Sequence, residues 1–256
     1  MYNNLFSLGP VTVHGYGLMI AVGVILAVIL AVLRSPKRGL DENLIYGIGL
    51  AALLSGFLGA KLLYCLINLD SFLKNPWEFL SGSGFVVYGG IVGGVLAAML
   101  YCRAQKVSFL KYFDLLAPSV ALAQGFGRIG CFLAGCCYGR ETNAWYGVTF
   151  PAGGIAPSGV QLIPTQLFSS AGDFAITLAL LCYARKNRPD GKVGALYLIL
   201  YSVGRFFIEF LRNDYRGSVA FLSTSQFIAL FILVVGIALF FFKKPSAAPL
   251  VRDGQP

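Results

Sequence analysis

The sequence predicts an all-α integral membrane protein with seven transmembrane helices. Three observations carry this. Hydrophobic residues make up 57% of the 256-residue chain and charged residues only 12%, whereas about a quarter of a soluble domain is charged. The mean hydropathy is +0.74. The apolar residues also gather into long runs, close to the roughly 20 residues a membrane-crossing helix needs. No alternation of the kind a membrane barrel requires is present.

The runs follow in order at residues 16–33, 44–67, 85–102, 115–136, 165–183, 193–211 and 221–242. No basic residue precedes the first run, so it reads as an uncleaved span and not as a signal peptide. Between the second and third runs, residues 68–84 place Phe72, Leu73, Trp77, Phe79 and Leu80 around Pro76. This predicts an arm lying in the membrane interface. Between the fourth and fifth, residues 135–164 form a long Gly- and Pro-rich loop with Tyr138, Trp145, Tyr146 and Phe150 as headgroup-level anchors. Residues 1–244 form one polytopic membrane domain on this reading, followed by a disordered cytoplasmic tail at 245–256.

Orientation follows from the basic residues. One set of gaps carries Arg34, Lys37, Arg38, Arg103, Lys106, Lys111, Arg185, Lys186, Arg188, Lys192, Lys243, Lys244 and Arg252. The opposite set carries only Lys74, Arg140, Arg212 and Arg216. The richer set should be cytoplasmic, which puts the N-terminus outside and the C-terminus inside. The net charge of +9 therefore reflects loop placement and does not indicate nucleic-acid binding.

Charges within a bilayer are costly and mark function more often than not. At a rise of 1.5 Å per residue, Arg128, Arg205, Lys61 and Asp173 each lie about 9–12 Å from the outer end of their spans. Tyr88 sits one turn into the third span, and His14 and Tyr16 stand at the outer mouth of the first. Cations exceed acids at this depth. That excess suits an anionic ligand, and a phosphate fits the planar donor fork of arginine. Tyr201, Arg205, Glu209 and Arg212 recur at helical spacing on one face, which leads to the outer surface at Asn213-Asp214-Tyr215-Arg216. The alternatives are a structural network, such as Asp173 with Lys61, and a plain i, i+4 pair of Arg205 with Glu209.

Other motifs carry less. Gly125-Phe126-Gly127-Arg128-Ile129-Gly130 matches the dinucleotide fingerprint literally, but it lies within a span and not between a strand and a helix. Gly89, Gly90, Gly93 and Gly94 have the small-xxx-small spacing of packed membrane helices. Cys131, Cys136 and Cys137 cluster in sequence, yet their spacing is not that of a complete zinc site. They read as small packed residues, with a disulfide or a reactive thiol as alternatives. The residues call for no cofactor and no metal.

The chain resembles the bacterial prolipoprotein diacylglyceryl transferase family over nearly its whole length. His14-Gly15-Tyr16-Gly17-Leu18-Met19 is similar to that family's opening H-x-Y-G-L-M. Gly127-Arg128-Ile129-Gly130-Cys131-Phe132 resembles the start of its G-R-x-G-N-F signature. Pro164-Thr165-Gln166-Leu167-Phe168 resembles its P-S-Q-L-Y segment. Tyr201-Ser202-Val203-Gly204-Arg205 with Glu209-Phe210-Leu211-Arg212 resembles its Y-x-x-x-R helix and the E-F-x-R that follows.

The resemblance implies transfer of the diacylglyceryl group from phosphatidylglycerol to the thiol of a lipobox cysteine in prolipoprotein signal peptides. This is the first step of lipoprotein maturation. It also implies a bacterial cytoplasmic membrane, with the active site towards the outer leaflet. The signature arginine falls on Arg128 and the essential late arginine on Arg205. Tyr16, Lys61, Tyr201, Glu209 and Gln166 then bind substrate with Arg128. Tyr88 stands where the family has a histidine, while Cys131, Ala134 and Cys136 replace two asparagines and an acid. Phe168-Ser169 replaces the usual Y-E. Thiol activation is left to His14, to Tyr88, or to nearby positive charge alone. Two rival readings stand beside this one: a relative that serves another acceptor, and a non-catalytic lipid binder or transporter.

Overall fold

The computed structural model describes residues 4–8, 11–82, 84–152, 155–213, 217–219 and 221–242. The tail at 245–256 and the Asp214-Tyr215-Arg216 end of the outer stripe lie outside these residues. Two short strands, β1 (Asn4–Leu8) and β2 (Val11–His14), form an antiparallel hairpin ahead of α1 (Gly15–Arg34). Then come α2 (Glu42–Ile67), α3 (Leu69–Lys74), α4 (Pro76–Ser81), α5 (Val87–Ala104) and α6 (Phe109–Ala134). The strand pair β3 (Val148–Thr149) and β4 (Gln161–Leu162) precedes α7 (Thr165–Tyr183) and α8 (Lys192–Ile208). The pair β5 (Ser218–Val219) and β6 (Leu222–Ser223) precedes α9 (Thr224–Phe242). Seven helices among the described residues are long and apolar enough to cross a membrane: α1, α2, α5, α6, α7, α8 with its terminal turn, and α9. The protein is an all-α integral membrane protein.

The helix ends differ from the expected runs for local reasons. The last span begins at Thr224, because Ser223 and Gln226 form a reciprocal capping box. The Gln226 backbone N–H donates to Ser223 Oγ at 3.2 Å, and the Ser223 N–H donates to Gln226 Oε1 at 3.1 Å. The fourth span starts at Phe109 and stops at Ala134, where Gly135 takes φ +69°. Glycine tolerates that left-handed helix exit, and its N–H donates back to the Phe132 carbonyl. The sixth ends at Ile208 and tightens into a 3-10 turn over Glu209–Leu211. The residues between α2 and α5 form two short helices broken at Asn75-Pro76.

The described chain divides into two compact units. One comprises Met1–Ala31 with Phe113–Pro256, the other Val32–Tyr112. In the second unit, α2 and α5 meet through glycines. A side chain at Gly59 would overlap the Gly89 carbonyl, and one at Gly93 would lie 2.6 Å from the Ser55 carbonyl oxygen. This is the close backbone approach that small-xxx-small spacing permits. Lys61 belongs to this unit. Its Nζ donates to the Gly82 carbonyl at 2.6 Å and to the Gly84 carbonyl at 3.3 Å. It also lies 4.8 Å from the Phe85 ring centroid.

In the first unit, Ala117 and Ala121 of α6 pack with Leu180 of α7 and with Val193 and Tyr197 of α8. Buried Asp114 accepts the Gly191 and Gly194 N–H groups, each at 2.7 Å, and so caps the start of α8. The Tyr197 hydroxyl donates to Gln124 Oε1 at 2.8 Å, and Ser170 Oγ donates to the Gly125 carbonyl at 2.9 Å. These bonds fix α6, α7 and α8 around the residues described next.

Candidate functional site

A cavity of about 90 Å³ opens between α6, α7 and α8. Arg128 enters it from α6. Phe168, Ser169, Gly172, Asp173 and Ile176 line it from α7, and Tyr201, Gly204, Arg205 and Ile208 from α8. Most of this wall is apolar, and its charges are two guanidiniums and one carboxylate. Such a site suits an amphipathic anion with one charged group and a greasy remainder.

The helical face expected from the sequence is present. Arg205 Nη1 lies 2.5 Å from Glu209 Oε2, and Arg212 Nε lies 3.8 Å from the same oxygen. The simple Arg205–Glu209 pair therefore forms, yet Arg205 also lines the cavity. Tyr201 stacks on Tyr197 with ring centroids 5.9 Å apart. Arg128 is within electrostatic reach of Tyr201, Cys131, Asp173 and Cys137.

Two further elements close on α6. The backbone of α1 lies against it at glycine. A side chain at Gly130 would meet the Tyr16 carbonyl oxygen at 3.1 Å, and one at Gly23 would meet Phe126 Cβ at 2.9 Å. Tyr16 thereby comes within electrostatic reach of Arg128 and of Cys131, Cys136 and Cys137. The loop after α6 folds back as small strand pairings. Gly139 bridges Arg212, and the Arg140 N–H donates to the Leu211 carbonyl at 2.9 Å. Beneath them, Phe150, Ala156 and Leu162 form a local core. Gln166 is buried at the start of α7, where its Nε2 donates to the Cys136 carbonyl at 2.7 Å.

The expected site residues are thus placed unevenly. Arg128, Arg205, Tyr201 and Asp173 share one cavity. Glu209 pairs with an arginine of that cavity, and Tyr16 is close to Arg128. Gln166 braces the adjoining loop through its amide. His14 ends β2 and is exposed, immediately before α1. Lys61 and Tyr88 belong to the other unit, where Tyr88 is half-buried in the first turn of α5. Phe168, Ser169, Gly172, Ile176, Gly204 and Ile208 also line the cavity and were not foreseen as site residues. Gly172 and Gly204 could have been suspected, because each stands next to a charged residue within a span.

The family model for prolipoprotein diacylglyceryl transferase matches residues 3–242. The chain is 50% identical over 238 residues to the phosphatidylglycerol–prolipoprotein diacylglyceryl transferase of Clostridium tetani. That match covers 92% of this chain and 95% of that protein. It is 49% identical over 234 residues to transferase 2 of Clostridium perfringens, covering 91% of each. It is 36% identical over 240 residues to the Finegoldia magna protein of the same name, covering 91% of this chain and 92% of that one. The family match spans the three strand pairs, all seven long helices and the cavity, and the chain belongs to the prolipoprotein diacylglyceryl transferase family.

Proposed function

We propose that the protein transfers the diacylglyceryl group of phosphatidylglycerol to the thiol of a lipobox cysteine in prolipoprotein signal peptides. The observation that carries this is the pairing of Arg128 and Arg205 in one largely apolar cavity. Phosphatidylglycerol has one phosphate between an acyl-bearing glycerol and a free glycerol. Its phosphate suits the two guanidiniums, and its apolar part suits Phe168, Ile176 and Ile208.

The chemistry follows from the leaving group. The thiolate sulfur attacks the glycerol carbon, and a carbon–sulfur bond forms. The carbon–oxygen bond to phosphate breaks, with its electron pair going to glycerol phosphate. Negative charge therefore grows on phosphate oxygen, where preorganised donors stabilise the transition state. Arg128 and Arg205 fill that role on this reading. Tyr201 adds a hydroxyl, Glu209, itself paired with Arg212, holds Arg205 in place, Tyr16 stands near Arg128, and Gln166 sets the adjoining loop. Lys61 orders the loop before Tyr88 within its own unit, and thiol activation is left to His14, to Tyr88, or to nearby positive charge alone. On this reading the protein works in the bacterial cytoplasmic membrane, and the basic-residue asymmetry of the loops supports a site towards the outer leaflet.

The test is transfer by purified protein from phosphatidylglycerol to a lipobox peptide, read by mass spectrometry as a thioether-linked diacylglyceryl product. Arg128→Ala should lower the rate by about 10²-fold or more, the cost of losing one preorganised donor. Full activity in that variant removes Arg128 from the reaction. A second reading is motivated by Cys131, Ala134 and Cys136, which alter the family signature. It keeps the lipid donor but uses another acceptor, and lipid consumption without peptide modification would select it.

A further inference from the structure

Three thiols gather at the end of α6, beside the cavity and outside its lining. The sulfur atoms of Cys131, Cys136 and Cys137 all lie within 4.8 Å of one another. None of the three forms a disulfide, and all are half-buried. Helical geometry alone does not produce this cluster. The chain must reverse after Ala134, and it does so with Gly135 at φ +69° and Cys137 at φ +63°. A non-glycine residue in that region costs on the order of 1–3 kcal/mol and persists only where its surroundings impose it.

Here the surroundings are identifiable. Thr165 Oγ1 donates to the Cys137 carbonyl at 2.8 Å, and Gln166 Nε2 donates to the Cys136 carbonyl at 2.7 Å. Both donors are buried at 1% exposure. The first turn of α7 therefore clamps the backbone of two cysteines in the conformation that turns their sulfurs towards Cys131. The clamped turn brings three sulfurs within 4.8 Å of one another, and such a fixed cluster is the arrangement a preorganised ligand set needs.

We propose that Cys131, Cys136 and Cys137 form a three-thiolate site for a zinc-class cation, with the fourth coordination position open. Zinc–sulfur bonds of about 2.3 Å in a tetrahedron put sulfurs about 3.8 Å apart, so the cluster needs only a small contraction. Three protein ligands and one open position is the pattern of catalytic zinc. Thiolates select a soft or borderline cation over magnesium or calcium. A dication with three thiolates carries one net negative charge. Arg128, one helical turn before Cys131, offsets it from within electrostatic reach.

Resting on the proposed transfer reaction, the open position takes the acceptor's thiol. The sulfur–hydrogen bond breaks, the sulfur's electron pair binds the cation, and the proton passes to water. The bound sulfur then makes the carbon–sulfur bond while the phosphate leaves towards Arg128. This site provides activation where Tyr88 replaces the family's histidine, and it uses two of the residues that replace the signature's polar side chains.

The test uses full-length protein in detergent, reduced with a phosphine and freed of metal, then titrated with Co²⁺ and Zn²⁺. The expected result is one Co²⁺ per chain, a sulfur-to-cobalt charge-transfer band, the visible bands of a tetrahedral site, and displacement by Zn²⁺. Cys131→Ser, Cys136→Ser and Cys137→Ser should each lose most of the band, and Cys182→Ser on exposed α7 surface should keep it. Co²⁺ bound without a thiolate band, or a band that survives all three substitutions, overturns the site. For the thiol role, metal-free protein should transfer at least tenfold more slowly, with recovery on adding Zn²⁺. Full transfer by metal-free protein overturns that role. Absence of transfer from both forms overturns the reaction itself, and the Co²⁺ titration of the unaltered protein then decides the site separately.

Discussion

Replacing Glu209 by glutamine isolates the electrostatics of the α8 face. Glu209 Oε2 is 2.5 Å from Arg205 and 3.8 Å from Arg212. The side-chain exposures are 8% for Glu209, 11% for Arg205 and 4% for Arg212. Glutamine keeps the shape and an acceptor oxygen but removes the charge that two desolvated guanidiniums share. Breaking a buried ion pair costs about 3–5 kcal/mol. The retained acceptor and residual solvent contact put this case near the lower end, at about 3 kcal/mol. For a domain of this size, each kcal/mol moves the melting temperature by about 2–4 °C. Glu209→Gln should therefore melt about 6–12 °C lower in detergent, followed by circular dichroism.

The same substitution should change the response to lipid. It leaves unneutralised positive charge beside the cavity, so an anionic lipid should stabilise the variant more than it stabilises the parent. The comparison is the shift in melting temperature with phosphatidylglycerol against that with phosphatidylcholine. A variant that melts within about 2 °C of the parent refutes the reasoning, because the pair then behaves like a solvent-screened one worth about 0–1 kcal/mol. A large loss of stability with no greater gain from phosphatidylglycerol refutes the placement of Arg205 at the lipid phosphate.

Asp114→Ala leaves two buried backbone N–H groups at the start of α8 without their acceptor, at about 1–3 kcal/mol each. Its melting temperature should fall, and Asp114→Asn, which keeps one acceptor, should fall about half as far. In α2, Gly59→Ala would collide with the Gly89 carbonyl while Gly49→Ala meets nothing within 4 Å. Only the first should unfold at lower temperature. Gly204 lines the cavity and has nothing within 4 Å of an added Cβ. Gly204→Ala should be tolerated or slightly stabilising, since alanine favours helix by about 1 kcal/mol. Gly204→Leu should leave melting close to that of the parent but raise the KM for phosphatidylglycerol several-fold.

The long apolar runs and the spacing of Tyr201, Arg205, Glu209 and Arg212 were legible because helix geometry depends on local periodicity. The start of α9 was legible in principle from Ser223-Thr224-Ser225-Gln226, a capping box hidden beside the apolar run that followed. The cavity walls were less legible. Phe168, Ile176 and Ile208 look like any other lipid-facing residues until α7 is set against α6 and α8. Asp114 reads as a charge near a span end, and only its pairing with Gly191 and Gly194, far along the chain, reveals a cap. The mutual approach of the three cysteines was hidden for the same reason. Sequence separation counts residues along a helix, whereas their approach depends on a left-handed turn clamped by Thr165 and Gln166.

The paired charges also explain how this cavity can serve an anion at all. If every arginine had its own carboxylate, the network would be closed and purely structural. Glu209 is instead divided between Arg205 and Arg212, and Asp173 stands within reach of Arg128. Three guanidiniums thus face two carboxylates on these helices, and each guanidinium offers five donors against the few that a carboxylate can accept. The acids hold Arg128 and Arg205 in place, and one carboxylate cannot accept from all five donors of a guanidinium. An apolar wall around that residual charge disfavours a small hydrated anion, which would lose its water for little gain. A phosphate carrying acyl chains has the reverse preference, because its apolar part is already in the bilayer. On the proposed function, selectivity for a phospholipid over free phosphate follows from the wall as much as from the arginines.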